Sequence, residues 1–366
     1  MQNSSHNKIK KIRLGEFFSG PGGIAYGAHL AATKTNLFEL EHAWAVDNHP
    51  STCETYIRNI NGASFDSVFC EDIKTFNFQN LRNIASKIDG FAFGFPCNDF
   101  SLVGQQKGIN GKFGPLYTYG IKALNLFQPS FFIAENVGGL TSANKGAALE
   151  KILKELEAAG YLITPHLYKF EEYGVPQARH RLIIVGIKKS LNLTFKVPAP
   201  THKNKFITVA DALELKPIRS DAYNNDKTNQ SELVVERLKY ILPGQNAWNA
   251  SLPKHLRLNV KGAKLSQIYK RLEPDKPSYT ITGSGGGGTH VYHWREPRAL
   301  TNRERARLQT FPDSFEFIGS KESVRRQIGM AVPPLGAKVI FEAVVKTLLG
   351  LPYNSVEVPS LNSKGR

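Results

Sequence analysis

The sequence predicts an α/β fold carrying a second, smaller domain. Three observations support this. An extended run at 12–18 passes through a glycine-rich turn at 19–23 into an apolar helical run at 24–33. Further short apolar runs at 42–46, 68–70, 91–93 and 131–134 each end in an acid or a polar loop, as buried strands of such folds do. Composition then shifts near Ser190, and 192–297 is richer in Lys, Asn, Pro and turn residues with no long periodic run.

The bulk properties narrow the class. At 366 residues the chain is one large domain or two ordinary ones, and 41% hydrophobic residues can supply a sizeable core. The surplus of 47 Lys+Arg over 31 Asp+Glu, a net +16, favours a polyanionic partner, nucleic acid before membrane. A basic soluble protein without such a partner is the plain alternative. Three cysteines without a CxxC pair make no disulfide framework and no zinc site, which points to a reducing compartment. Ten histidines without HxxxH or HExxH spacing give no reason to expect a metal. The start, MQNSSHNKIKKIR, is basic and polar, and the apolar stretch 339–349 is broken by Glu342 and Lys346. The expectation is a soluble, cytoplasmic protein with no membrane span.

Taken in order, the elements place candidate chemistry at strand ends. The turn at 19–23 has the form of an adenosine cradle: glycines admit close backbone approach, and the helix after them offers free N–H groups. It is not GxGxxG, so a dinucleotide is disfavoured; a tight turn holding nothing is the alternative. Asp47 ends the strand at 42–46 and is placed to accept from ribose hydroxyls, or else to cap a helix. Asp72 follows the strand at 68–70 and could accept from an adenine amine; Cys53 and Cys70 read as packing residues. The run 91–93 leads into Gly94-Phe95-Pro96-Cys97, a loop presenting one thiol, nucleophile or inert. A Gly- and Lys-containing loop at 108–114 could close over a substrate. A helix at 116–127 stops before Pro129. The strand at 131–134 ends in Glu135, a candidate proton donor or a loop ion pair.

A helix at 146–160 and β-rich stretches at 161–170 and 182–187 follow. Between those stretches, strand alternation puts Gln177, Arg179 and Arg181 on one face, suited to anion or base contacts or simply a solvated edge. Residues 251–272 carry Lys254, Arg257, Lys261, Lys264, Lys270 and Arg271 and no acid, a surface fit for phosphates or a solvated basic face. The glycines at 283 and 285–288 follow Thr280 and suggest close approach to DNA backbone, a flexible linker being the alternative. A helix is expected at 301–311, then a loop at 327–334 opening a last helix at 335–349.

Together these pieces resemble a DNA (cytosine-5)-methyltransferase of the bacterial restriction–modification type. FFSGPGG at 17–23, the acid at 47, Asp72-Ile73, GFPCNDFS at 94–101, Glu135-Asn136-Val137, QARHR at 177–181, RERARLQTFPD at 303–313 and GMAVPP at 329–334 occur in that family's order, over nearly the whole chain. The resemblance implies a Rossmann-like sheet binding S-adenosylmethionine at 1–191 and 313–366, and a target-recognition domain with its hinge at 192–312. It implies Cys97 as nucleophile, with Pro96 shaping its loop and Glu135 bonding the cytosine ring. It gives Arg179 the base carbonyl and Arg181 the support of the active-site loop. Phe18, Gly20, Gly22, Gly23, Asp47, Asp72, Ile73, Leu116 and Val332 would contact the cofactor. Ser101, Gln177, Thr280 and the basic residues of 251–272 would contact DNA. The expected partners are duplex DNA, bound by a monomer that flips the target base, and a cognate restriction endonuclease outside any stable complex. The chain departs from the family pattern at Asn98 (usually Gln), Met330 (usually Asn) and Asp47 (usually Glu). A catalytically impaired DNA-binding relative and an RNA cytosine-5 methyltransferase are the competing readings.

Overall fold

The computed structural model describes residues 10–95, 116–141, 146–259, 265–283, 285–286 and 288–357. Pro96, Cys97, Asn98, Ser101, the loop at 108–114, Lys261 and Lys264 lie outside the described residues. The chain forms two compact units, one of 1–168, 180–199 and 336–366, the other of 169–179 and 200–335.

The first unit is built on a seven-stranded sheet. Its strands are β1 (Lys10–Phe17), β2 (Phe38–Asp47), β3 (Val68–Cys70), β4 (Gly90–Gly94), β5 (Phe131–Val137), β6 (Tyr161–Lys169) and β8 (His180–Lys188), in the order β3-β2-β1-β4-β5-β8-β6. The pairs from β3 to β5 are parallel and β8 runs antiparallel to β5. This is the Rossmann-like α/β sheet that the sequence predicts. Parallel strands need both faces covered, which is why β4 reads Phe-Ala-Phe without a polar break. Phe17, Phe91, Phe93 and Phe132 form one core with Leu124 and Phe127 of helix α4 (Tyr117–Phe127) and Ile152 and Leu156 of α5 (Ala147–Ala158). Phe131 points to the opposite face and meets Phe341 of α10 (Pro334–Leu348) edge-on. Strand order reverses between β1 and β4, whose Phe17 and Phe93 are in register. The glycine turn and Phe95 therefore follow neighbouring carboxyl ends of the sheet, at its topological switch point.

Two helices of this unit escaped the sequence reading. One is α2 (Pro50–Asn59), started by its proline; the other is α3 (Gln79–Ile84), too short to show periodicity. Beneath α1 (Gly23–Thr35) and α2, β1 carries Glu16, only 1% exposed. The Tyr56 hydroxyl donates to Glu16 Oε2 at 2.6 Å and lies 3.3 Å from His42 Nδ1. Burial pushes Glu16 up to about 8, against a hydrogen bond from Tyr56 that lowers it. The folded state thus keeps a proton that the unfolded chain sheds above about 4.5. Glu16 lowers stability progressively from that pH to about 8, and the effect is then constant. Glu16→Gln is expected to raise stability by roughly 1–3 kcal/mol at pH 8 with little gain at pH 5. Equal gains at both pH values in urea melts would refute a neutral Glu16.

The second unit has little regular structure. It contains β7 (Gln177–Ala178), paired in parallel with β10 (Ser278–Tyr279), and helices α6 (Val209–Glu214), α7 (Glu232–Lys239), α8 (Asn302–Leu308) and α9 (Lys321–Met330). A short β9 (Val197–Pro198) belongs to the first unit. Thr301 starts α8 with a reciprocal capping box to Glu304. Two small cores fill the unit, one around Val209, Ile281, Trp294 and Leu308, the other around Leu238, Leu256, Tyr269 and Tyr292. Residues 327–330 are the last turn of α9, not a loop: Ser320 caps that helix, and the break falls later, at 331–333.

The unit boundaries differ from the expected 192–312. Residues 169–179 and 313–335 belong to the second unit, because side chains staple them there. Gln309 Nε2 donates to Ile328 O at 2.7 Å, and Gln177 Nε2 donates to Gln309 Oε1 at 3.0 Å. Composition could not register these buried side-chain bonds.

Candidate active site

In the first unit, parallel pairing puts Gly94 in register with Glu135. A Cβ on Gly94 would come within 3.2 Å of Glu135 Oε2, so the glycine leaves room for the carboxylate at this strand end. Asn136, 2% exposed, donates from Nδ2 to Phe95 O at 3.3 Å and accepts from Val137 N at 2.8 Å. It ties the end of β5 to the residue preceding Pro96. The sequence reading gave Asn136 no role; its place beside Glu135 was the available signal.

Glu135 pairs with Ile183 of β8, and Val137 with Arg181. Residues two apart share a face, so Glu135 and Arg181 are diagonal neighbours. Their ion pair closes at 2.9 Å, with 13% and 12% of the side chains exposed. Burial lowers the Arg181 pKa and the Glu135 charge opposes it. The pair is sheltered enough to hold a carboxylate in one orientation.

The adjoining turn is built for a ligand. Phe18 and Gly20 have φ of 52° and 55°, and Gly22, at 93°, precedes α1. Nothing among the described residues lies within 4 Å of where a Gly20 side chain would be. Asp47 Oδ2 accepts from Gly20 N at 2.9 Å and Oδ1 from His49 N at 3.1 Å, while burial raises its pKa. The Ser19 hydroxyl is buried with no hydrogen-bond partner among the described residues. Such a turn, open toward the switch point with an orphaned hydroxyl and an acid at the neighbouring strand end, fits an adenosine-type cofactor. Asp72 is exposed and caps its own turn through Lys74 N; Ile73 and Leu116 are buried. Gly23 is the first residue of α1.

The second unit corrects several expectations. Gln177, Arg179 and Arg181 do not share a strand face, because the chain breaks at Arg179 between β7 and β8. Gln177 is fully buried: its Oε1 accepts from Ile281 N at 2.7 Å and its amide is spent on Leu308 O and Gln309, so it is no DNA contact. Arg179, also fully buried, donates Nη1 to Ile281 O at 3.1 Å and Nη2 to Gly329 O at 3.0 Å. It clamps main chain and is not poised for a base carbonyl; Arg181 is the arginine beside Glu135. Gly329 permits the clamp, since a Cβ there would lie 2.1 Å from Gly283 N. Arg271, 6% exposed, spends its guanidinium on the carbonyls of Leu238, Ile241, His293, Trp294 and Glu296, which removes it from the phosphate-binding set.

The other expected contacts differ in exposure. Lys254 and Arg257 are exposed, although Arg257 Nε reaches Leu252 O at 3.2 Å. Lys270 lies 5.0 Å over the Tyr279 ring. The Thr280 hydroxyl donates to Ala178 O at 2.6 Å and so faces any further partner as an acceptor. Val332 is buried in the second unit.

An open Rossmann-like sheet with an adenosine-type turn at its switch point and a clamped Glu–Arg pair at the end of β5 fits an enzyme that uses a nucleotide-type cofactor. The comparisons make it specific. A profile of C-5 cytosine-specific DNA methylases matches residues 12–346. The type II methyltransferase M.BbvI of Brevibacillus brevis is 57% identical, over 97% of this chain and 95% of its own. The type II methyltransferase M.NgoFVII of Neisseria gonorrhoeae is 40% identical, over 94% and 88%. The crystal structure of an Escherichia coli prophage protein assigned as a DNA modification methyltransferase shares the fold, with a TM-score of 0.72 at 24% identity, over 92% of this chain and 99% of that one. The chain belongs to the C-5 cytosine-specific DNA methylase family. It is accordingly a DNA (cytosine-5-)-methyltransferase that draws its methyl group from S-adenosylmethionine.

Proposed function

We propose that this enzyme methylates one cytosine within a short duplex DNA sequence, in the cytoplasm, as the protective half of a type II restriction–modification system. The observation that carries the site assignment is the Glu135–Arg181 pair at the strand end beside Gly94, three residues before Cys97. When bound, S-adenosylmethionine supplies an electrophilic methyl group on a sulfonium. Carbon 5 of cytosine is a poor nucleophile, and the residues must raise its electron density. The Cys97 thiolate adds to carbon 6, which turns the ring into an enamine reactive at carbon 5. Glu135, held by Arg181, bonds ring nitrogen 3 and the exocyclic amine and steadies the adduct; Pro96 shapes the loop. Arg181, rather than Arg179, is the arginine proposed at the base carbonyl. After methylation, loss of the carbon-5 proton and expulsion of the thiolate restore the aromatic ring.

The cradle assignment places Phe18, Gly20, Gly22, Gly23 and Ser19 around the cofactor, with Asp47 toward the ribose and Asp72 with Ile73 toward the adenine. The target carbon is shielded in duplex DNA, so the base is flipped out, and residues 200–335 would read the sequence around it. Support for that role comes from the exposed Lys254 and Arg257 in a chain of net +16. The test is bisulfite-type sequencing of DNA from cells expressing the chain. Protection of cytosine at one recurrent sequence is expected; uniform conversion would reject active methylation.

A further inference from the structure

Helix α8 carries three arginines, and two are fully provided for. Arg303 donates to the carbonyls of Tyr223, Pro312 and Phe315. Arg307 pairs with Asp313 and with carbonyls of 212, 216 and 217. Arg305 differs. It is 1% exposed, and its one described contact is Nη2 to His290 Nδ1 at 3.3 Å. Its Nε and Nη1 meet no acceptor among the described residues, and neither does Nε of Arg325 on α9.

The surroundings give this cluster no negative charge to spare. Burial first, then the charge of Arg325, lowers Arg305 to about 10. His290, pushed down to about 4 by burial and by both arginines, is neutral and satisfies one N–H only. The carboxylate that Arg305 feels, Glu304, is spent on Arg298 at 2.7 and 2.8 Å and on Thr301 N at 2.7 Å. A buried Arg305 with two donors unmet among the described residues, beside the charge of Arg325 whose Nε is also unmet, is unfavourable unless an anion joins them. Bare backbone passes directly over Arg325, where a Cβ on Gly285 would lie 2.7 Å from Nε, while a Cβ on Gly286 would meet nothing within 4 Å among the described residues. The sequence reading linked the glycines to DNA but missed the arginines, which sit unmarked among the other basic residues of a helix.

We propose that Arg305, Arg325 and the backbone at Gly285 and Gly286 form a site for one phosphodiester group of the DNA. The inference rests on the DNA-methylating reading and adds the residues that grip the backbone. A phosphate matches the need better than a base edge: guanidinium forks bind phosphate oxygens in pairs, and a neutral base leaves both charges uncompensated.

The test is the affinity of the full chain for duplex DNA as a function of salt, for wild type, Arg325→Gln, Arg305→Met and the double variant. Each single variant is expected to flatten the slope of log K against log salt by about 0.9, the share of one phosphate. That is about threefold less loss of affinity between 50 and 200 mM salt. The double variant should lose no more than either single one, and all duplex sequences should weaken by the same factor. Without DNA, melting temperature should hold or rise as an unpaired buried cation is removed, and inorganic phosphate should compete no better against wild type than ionic strength explains. An unchanged slope in both single variants would overturn the proposal. So would a loss confined to duplexes differing at one base pair, or preferential displacement of DNA by inorganic phosphate. Failure of the wild type to bind DNA at any salt would instead remove the functional reading itself.

Discussion

Replacement of Cys97 by serine is expected to reduce methyl transfer to DNA by a factor on the order of ten thousand or more, the scale of losing a covalent nucleophile. A serine hydroxyl is far less ionised and less polarisable than a thiol, so addition to carbon 6 fails before any methyl group moves. No other cysteine can substitute. Cys53 is buried, and desolvation pushes its thiol well up; Cys70 ends β3, three places from β4 in the sheet order. The Glu135–Arg181 ion pair is made by side chains the substitution leaves in place, so folding and DNA affinity should survive it. Single-turnover transfer of a labelled methyl group, with a parallel gel-shift measurement, separates the two effects. Transfer at the wild-type rate would remove the covalent step.

Arg271→Ala is expected to destabilise the second unit by on the order of 5 kcal/mol, the scale of stranding several buried acceptors at once. The guanidinium holds five backbone carbonyls from the 238–241 and 293–296 segments, in a region with almost no ladder to take over. Removing it takes the side-chain donor from the Ile241, His293 and Trp294 carbonyls, while Leu238 O and Glu296 O keep backbone donors in Ile241 N and Arg298 N. Arg271→Lys should recover little, because an ammonium has three donors and no planar fork. Urea unfolding monitored by tryptophan fluorescence reports this, since Trp294 lies in one of the small cores. A variant with wild-type stability and weakened DNA binding would return Arg271 to the phosphate-contacting surface.

The two predictions mark where the sequence was informative. The strand ends of the first unit could be read directly: hydrophobic runs set the strands, and an acid or glycine after each run marked the carboxyl edge. Asp47 and Glu135 are singled out this way, and the structure has Asp47 at the end of β2 and Glu135 near the end of β5. The glycine turn at 19–23 was legible for the same reason, since few side chains tolerate the backbone that Gly20 and Gly22 adopt. The second unit was not legible in the same way. Its order comes from buried arginines and glutamines bonded to main chain 100 residues or more away, as with Arg179 to Ile281 and Gly329. A basic residue looks alike in sequence whether it will face solvent or clamp carbonyls. That is why the sequence directs Arg271 and Gln177 to DNA and gives Arg305 no role. Alternation misled at 177–181 because it assumed an unbroken strand.

The central claim is methylation of carbon 5 of cytosine in DNA by this active site. Its most direct test is incubation of duplex DNA with the protein and methyl-labelled S-adenosylmethionine, followed by digestion to nucleosides and separation. The account predicts label in 5-methyl-2′-deoxycytidine alone, absent with Cys97→Ser. Label in an N-methylated base, or undiminished label with the serine variant, would contradict it.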